Sequence, residues 1–149
     1  MPRVEQDTAI ATVGHAIQLS VAPVFLLSGI GAMLAVMTNR MSRIVDRGRL
    51  HETRLIDASP EEAVRLHDHL AVLSQRAKLI NRAITLLTIT ALFVCAVVAT
   101  LFIGTFFSFN TGIAVAALFV AAMATFFAAL LFFLREIFVA TASLRIGPQ

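Results

Sequence analysis

The chain has 149 residues, of which 58% are hydrophobic and 14% charged, with a formal net charge of +3. Its apolar residues come in continuous blocks rather than stripes, which excludes an ordinary soluble domain. Its basic residues sit beside those blocks, which favours membrane orientation over nucleic-acid binding as their purpose. The one cysteine, Cys95, leaves no intramolecular disulfide and no cysteine metal site.

A bilayer span needs about 20 mostly apolar residues. Residues 19–37, 83–107 and 113–134 each qualify and contain no Asp, Glu, Lys or Arg. Residues 1–17 read as a weakly polar leader, helical from about Thr8, with His15 and Gln18 near the first span. That span is longer than a signal-peptide core and no small-residue cleavage site follows it, so it is expected to be retained. Pro23 removes a backbone donor and predicts a kink. Ser28, Gly29, Gly31, Ala32 and Ala35 thin one side of the helix, which lets another backbone come close in lipid.

Residues 38–82 form a helical insertion between the first two spans. Met37, Met41, Ile44 and Val45 make an apolar stripe, and Arg40, Arg43, Arg47 and Arg54 share another narrow face. The stripe Arg40, Arg43, Arg47 is a candidate site for anionic lipid headgroups or for a partner. The alternative is ion pairing with Asp46 and with acids on the returning helix. Residues 54–58 read as a connector. Ser59-Pro60-Glu61-Glu62 then starts a helix, with Ser59 as cap, Pro60 in the first helical position and Glu62 closing a capping box. At that position Glu61 and Glu62 meet the helix dipole and need no catalytic explanation.

The helix after Ser59 carries an unbroken 3.5-residue seam: Leu66, Leu70, Leu73, Ala77, Ile80, Ile84, Leu87, Ala91, Val94, Val98 and Leu101. Its first half has charged neighbours and its second half has none. One helix is therefore expected to begin in water and continue into the bilayer. Pairing its seam with the stripe before it predicts an antiparallel helical hairpin. At about 1.5 Å per residue, that hairpin projects roughly 35 Å from the membrane.

Residues 106–112 predict a short turn, with Ser108, Asn110, Thr111 and Gly112 supplying its chemistry and Phe102, Phe106, Phe107 and Phe109 anchoring that end. The third span carries Ala117, Ala121, Thr125 and Ala129 as a small-residue packing ridge. Its helix is expected to run on through Arg135-Glu136 and to end at Gly147-Pro148. Residues 38–82 hold nine of the twelve Lys and Arg, the C-terminal tail two, the leader one and the outer turn none. The insertion and C-terminus are therefore expected in the cytoplasm and the N-terminus outside.

The run IQLSVAPVFLLSGIGAMLAVMTNRMSRIVDRGR, residues 17–49, resembles the bacterial membrane-protein family labelled domain of unknown function 2721. The features that carry the likeness are Pro23 in an apolar span, followed by Asn39-Arg40 and Asp46-Arg47. The layout downstream also matches. The resemblance implies the fold and brings no activity with it. The topology is also similar to that of the proton-channel motor proteins that energise outer-membrane processes, without a shared motif.

His67-Asp68-His69 is the one cluster suggestive of a metal, but residues two apart on a helix do not converge, so it reads as a solvated face. No nucleophile–base pair, phosphate loop or carboxylate dyad is present, and no catalytic residue, cofactor or metal is expected. The sequence predicts an all-α membrane protein that forms a single membrane domain of residues 1–149. It has three transmembrane helices and a cytoplasmic antiparallel hairpin between spans one and two. The expected function is that of a non-enzymatic homo-oligomer of the bacterial inner membrane, in contact with membrane lipids and not with nucleic acid. Its most concrete form is a pore lined by Thr85, Thr88, Thr100 and Thr125. The alternative is a scaffold or regulatory protein whose hairpin binds a cytoplasmic protein partner or anionic lipid.

Overall fold

The structure, a computed structural model, describes the backbone of residues 2–107 and 111–142 and the side chains of residues 12–104 and 111–142. Three helices make up the described chain: α1, Pro2–Leu55; α2, Pro60–Phe107; and α3, Gly112–Ala142. All three are long and apolar enough to cross a membrane. With 54 residues, α1 is about 80 Å long, far more than the roughly 30 Å of a bilayer core. Much of it must therefore stand outside any membrane it crosses. The expected turn at Ser108 and Asn110, the anchoring role of Phe106, Phe107 and Phe109, and the helix end at Gly147-Pro148 lie outside the described residues or side chains.

Several boundaries differ from expectation. Helix α1 starts at Pro2 rather than near Thr8, and it is continuous through both Pro23 and Gly48. Pro23 is buried. Three residues before it, the Ser20 hydroxyl donates to the Ala16 carbonyl at 2.7 Å. The connector is residues 56–59, because α1 keeps helical hydrogen bonding through Leu55. The capping box forms as the sequence implied. The Ser59 amide donates to Glu62 Oε2 at 3.2 Å, the Glu62 amide donates to Ser59 Oγ at 3.4 Å, and the Ala63 amide donates to the Ser59 carbonyl at 2.8 Å.

Two compact units are distinguishable. One comprises Met1–Ala32 and Leu87–Phe126. Its core contains Ala16 and Ile30 from α1, Leu87, Val94 and Val97 from α2, and Ala122 from α3. Thr90 is fully buried there and shares a 2.9 Å hydroxyl–hydroxyl hydrogen bond with Thr125. Thr111 starts α3 by accepting from the Val115 amide, and its side chain occupies the space a Cβ at Gly104 would need, 2.7 Å away. The other unit comprises Met33–Leu86 and Phe127–Gln149. Its core contains Met37, Ile44, Leu79, Ile80, Ala83 and Ala129, together with the carboxylate of Glu136. Here His51 of α1 stacks on His69 of α2, with ring centroids 5.8 Å apart and planes 8° from parallel.

Burial follows the 3.5-residue repeat on every helix. Every seam residue anticipated on α2 is buried or half-buried, and the face is widened by Ala83, Thr90 and Val97 on one flank. The same repeat runs along α1 at Ala16, Ser20, Pro23, Leu27, Ile30, Leu34, Met37, Met41, Ile44, Gly48, His51 and Leu55, all buried or half-buried. On α3 it runs through Leu118, Ala122, Thr125, Ala129, Phe132, Glu136 and Val139. The anticipated ridge on α3 divides: Ala129 is buried, Ala121 and Thr125 are half-buried, and Ala117 is exposed. Strict four-residue steps turn about 40° per step around a helix, so three steps carry a row off the packed face. Ser28, Gly29, Gly31, Ala32 and Ala35 face outward, with open space beside Gly29 and Gly31.

Candidate functional site

The buried carboxylate of Glu136 is the chemical centre of the described chain. Its side chain is 0% exposed. An isolated charge in such a place costs several kcal/mol or more, so it must be paired or neutralised. Two arginines from two other helices pair with it. Arg76 of α2 donates from Nε at 3.0 Å and from Nη2 at 2.8 Å, both to Oε1. Arg40 of α1 brings Nη2 to 2.8 Å from Oε2. That second contact is an ion pair without hydrogen-bond alignment, which leaves Oε2 with no hydrogen-bond partner among the described residues.

Helix α3 positions the carboxylate because residue 136 falls on its packed seam, seven residues beyond Ala129. The aromatic pair beside it supplies cation–π support: Arg40 Cζ lies 5.3 Å from the Phe133 ring centroid, and Arg82 Cζ lies 5.9 Å from that of Phe132. Arg76 is the more enclosed partner, at 15% side-chain exposure against 33% for Arg40.

The arginine stripe of α1 meets this cluster. Arg40, Arg43, Ile44 and Arg47 line a cavity of about 240 Å³, and Arg76 closes it from α2. Among the described residues neither Arg43 nor Arg47 pairs with a carboxylate, and both are exposed. Four guanidinium groups thus line the cavity, and two of them, Arg40 and Arg76, share one carboxylate. The acid that pairs with the stripe comes from α3, not from the returning helix α2, and Asp46 is exposed without an ion pair to Arg43 or Arg49. A residue three positions along the same exposed face costs little to leave in water, whereas Glu136 is enclosed and must be paired.

Other singled-out residues lie elsewhere. Thr85 and Thr88 are exposed on α2, and the Thr85 hydroxyl donates to the Asn81 carbonyl. Thr100 is half-buried and donates to the Ala96 carbonyl. Thr125 bonds to Thr90 and to the carbonyls of Ala121 and Ala122. His67 is exposed and contacts the Ala63 carbonyl through Nδ1 at 2.7 Å, while His69 faces His51. Cys95 is exposed. Among the described residues no group of three or more His, Cys, Asp and Glu side chains is placed to hold a metal.

Sequence reasoning identified Arg40 and missed Arg76 and Glu136. The signal for Glu136 was present, since 122–125–129–132–136 continues the 3.5-residue spacing through an acid. The comparisons with known proteins return no match to a curated protein and none to a solved structure. A family model described as "Protein of unknown function (DUF2721)" matches residues 20–146, a span that includes Arg40, Arg76 and Glu136, and the chain belongs to that family.

Proposed function

We propose that the protein is a non-enzymatic, homo-oligomeric scaffold of the bacterial inner membrane. Its cytoplasmic antiparallel hairpin is locked to the third span and presented to a protein partner or to anionic lipid. The observation that carries this reading is the enclosed Glu136 shared between Arg40 and Arg76. Both of its strong hydrogen bonds come from one guanidinium and the carboxylate itself is fully buried, an arrangement suited to fixing three helices rather than to moving a substrate or a proton. The concentration of Lys and Arg in residues 38–82 supports the inward orientation of the hairpin. Self-association is supported by the outward, thin face of α1 at Ser28, Ala32 and Ala35, where a second backbone can approach.

A second reading, a homo-oligomeric pore, is favoured by Thr85 and Thr88, polar residues that face outward on α2. Size measurement in mild detergent and in lipid nanodiscs, with current recordings from the same protein in planar bilayers, separates the outcomes. The scaffold reading expects an oligomer without steady currents. Steady currents carried by the oligomer, altered by Thr88→Val, make it a pore. A chain that stays monomeric in both environments overturns both.

A further inference from the structure

We infer that the cavity between Arg40, Arg43, Arg47 and Arg76 is a binding site for a phosphate group, carried either on a lipid headgroup or on a small soluble ion. Three of these arginines come from one face of α1, at steps of three and four residues, and the fourth reaches across from α2. Convergence of two helices makes this a built concavity rather than a charged surface stripe. Guanidinium groups present forked donors that match phosphate oxygens, and they are less strongly hydrated than ammonium groups, so they suit a partly enclosed anion site.

Charge accounting favours an added anion. Glu136 compensates the cluster from one side, and its two contacts are with Arg40 and Arg76. Arg43 and Arg47 pair with no carboxylate among the described residues, so their charges are left to solvent or to a ligand. At about 240 Å³ the cavity is below the roughly 300–1,000 Å³ typical of sites for drug-sized ligands. A phosphate or a compact headgroup fits, and a nucleotide is too large to be enclosed. Ile44, the one apolar lining residue, is itself buried at 5% exposure, so the floor is rigid. Arg40 and Arg76 are already held in place by Glu136, so two of the four donors are ordered before any ligand arrives.

The assignment deepens the scaffold reading, and only its lipid form rests on the hairpin facing the inner leaflet. The test uses the full chain, the double variant Arg43→Gln/Arg47→Gln, and a control, Arg54→Gln/Arg65→Gln, that removes the same charge outside the cavity. Arg43 and Arg47 are exposed and outside the Glu136 cluster, so their replacement leaves the fold intact, which the thermal unfolding midpoint checks. Native mass spectrometry counts lipids retained from nanodiscs of phosphatidylcholine alone, or mixed with phosphatidylglycerol or phosphatidate. Inorganic phosphate is titrated separately in detergent, with the unfolding midpoint as readout.

The anionic lipids should be retained by the native chain and by the control, with affinity lowered about thirtyfold in the Arg43/Arg47 variant, from roughly fivefold per arginine. That result identifies a headgroup. A phosphate-dependent rise in the midpoint, lost in the same variant, with no lipid preference, identifies a soluble ion. Absence of both effects overturns the site, as does equal loss in the control variant, which would reduce it to net charge. Because oligomer size and currents are read in phosphatidylcholine alone, without anionic lipid or added phosphate, failure here leaves the scaffold reading to its own test.

Discussion

At the scale of single residues, the strongest expectations concern Glu136. Glu136→Ala leaves two guanidinium groups facing each other without a counter-charge and should cost about 3–5 kcal/mol, the usual penalty for breaking a buried pair from one side. Glu136→Gln keeps an acceptor of similar shape and should cost less. Among its partners, Arg76→Ala should be more damaging than Arg40→Ala, because Arg76 donates two hydrogen bonds and is the more enclosed. Unfolding midpoints in one detergent give the ranking, and a larger loss from Arg40→Ala contradicts the assignment of roles. Arg40 was legible in the sequence because it stands on a face of like charges. Glu136 was not, since an acid next to Arg135 at the end of an apolar block looks like a polar terminus until the seam is followed past Ala129. Thr90 was missed for a related reason. It lies one position off the α2 seam, on the flank where burial is widened.

At the scale of elements, the sequence carried most of the architecture. Three apolar blocks became three helices, and Ser59 through Glu62 formed the reciprocal cap that their spacing implied. Ser59→Ala should cost about 1 kcal/mol of local stability. Hydrogen exchange should show it as faster exchange in the first turn of α2, with no change near Leu87. What the sequence did not convey was continuity. Helix α1 passes through Pro23 and Gly48 without ending, and the packed seam runs through both positions. The junction of α2 and α3 supplies another test. A Cβ at Gly104 would lie 2.7 Å from the Thr111 side chain, so Gly104→Ala should destabilise by about 1–3 kcal/mol through overpacking. Thr111→Gly, tolerable at a helix start, should recover part of that loss in the double variant. No recovery would mean that the cost arises elsewhere.

At the scale of the whole molecule, the prediction concerns which side of the membrane each end faces. Single cysteines at Ala58, in the connector, and at Asn110, in a Cys95-free background, report it directly. An impermeant thiol reagent applied to intact cells should label the Asn110 position and not the Ala58 position, and the reverse pattern inverts the orientation. The distribution of Lys and Arg made this expectation legible from sequence.

The Glu136 cluster also has a meaning for biogenesis. Its acid is encoded 60 residues after Arg76, on the third of the described helices, and its second partner lies on the first. Until α3 arrives, Arg40 and Arg76 have no counter-charge in this cluster, and until it docks, Glu136 is a lone carboxylate at the end of a greasy segment. Docking of α3 is thereby written into charge balance: mispaired assemblies leave Glu136, Arg40 and Arg76 without counter-charges, and the docked one pairs them. Synthesis as two pieces, divided between α2 and α3, should therefore still yield the native Glu136 cluster when both pieces are present, and α3 made alone should be the piece the cell degrades.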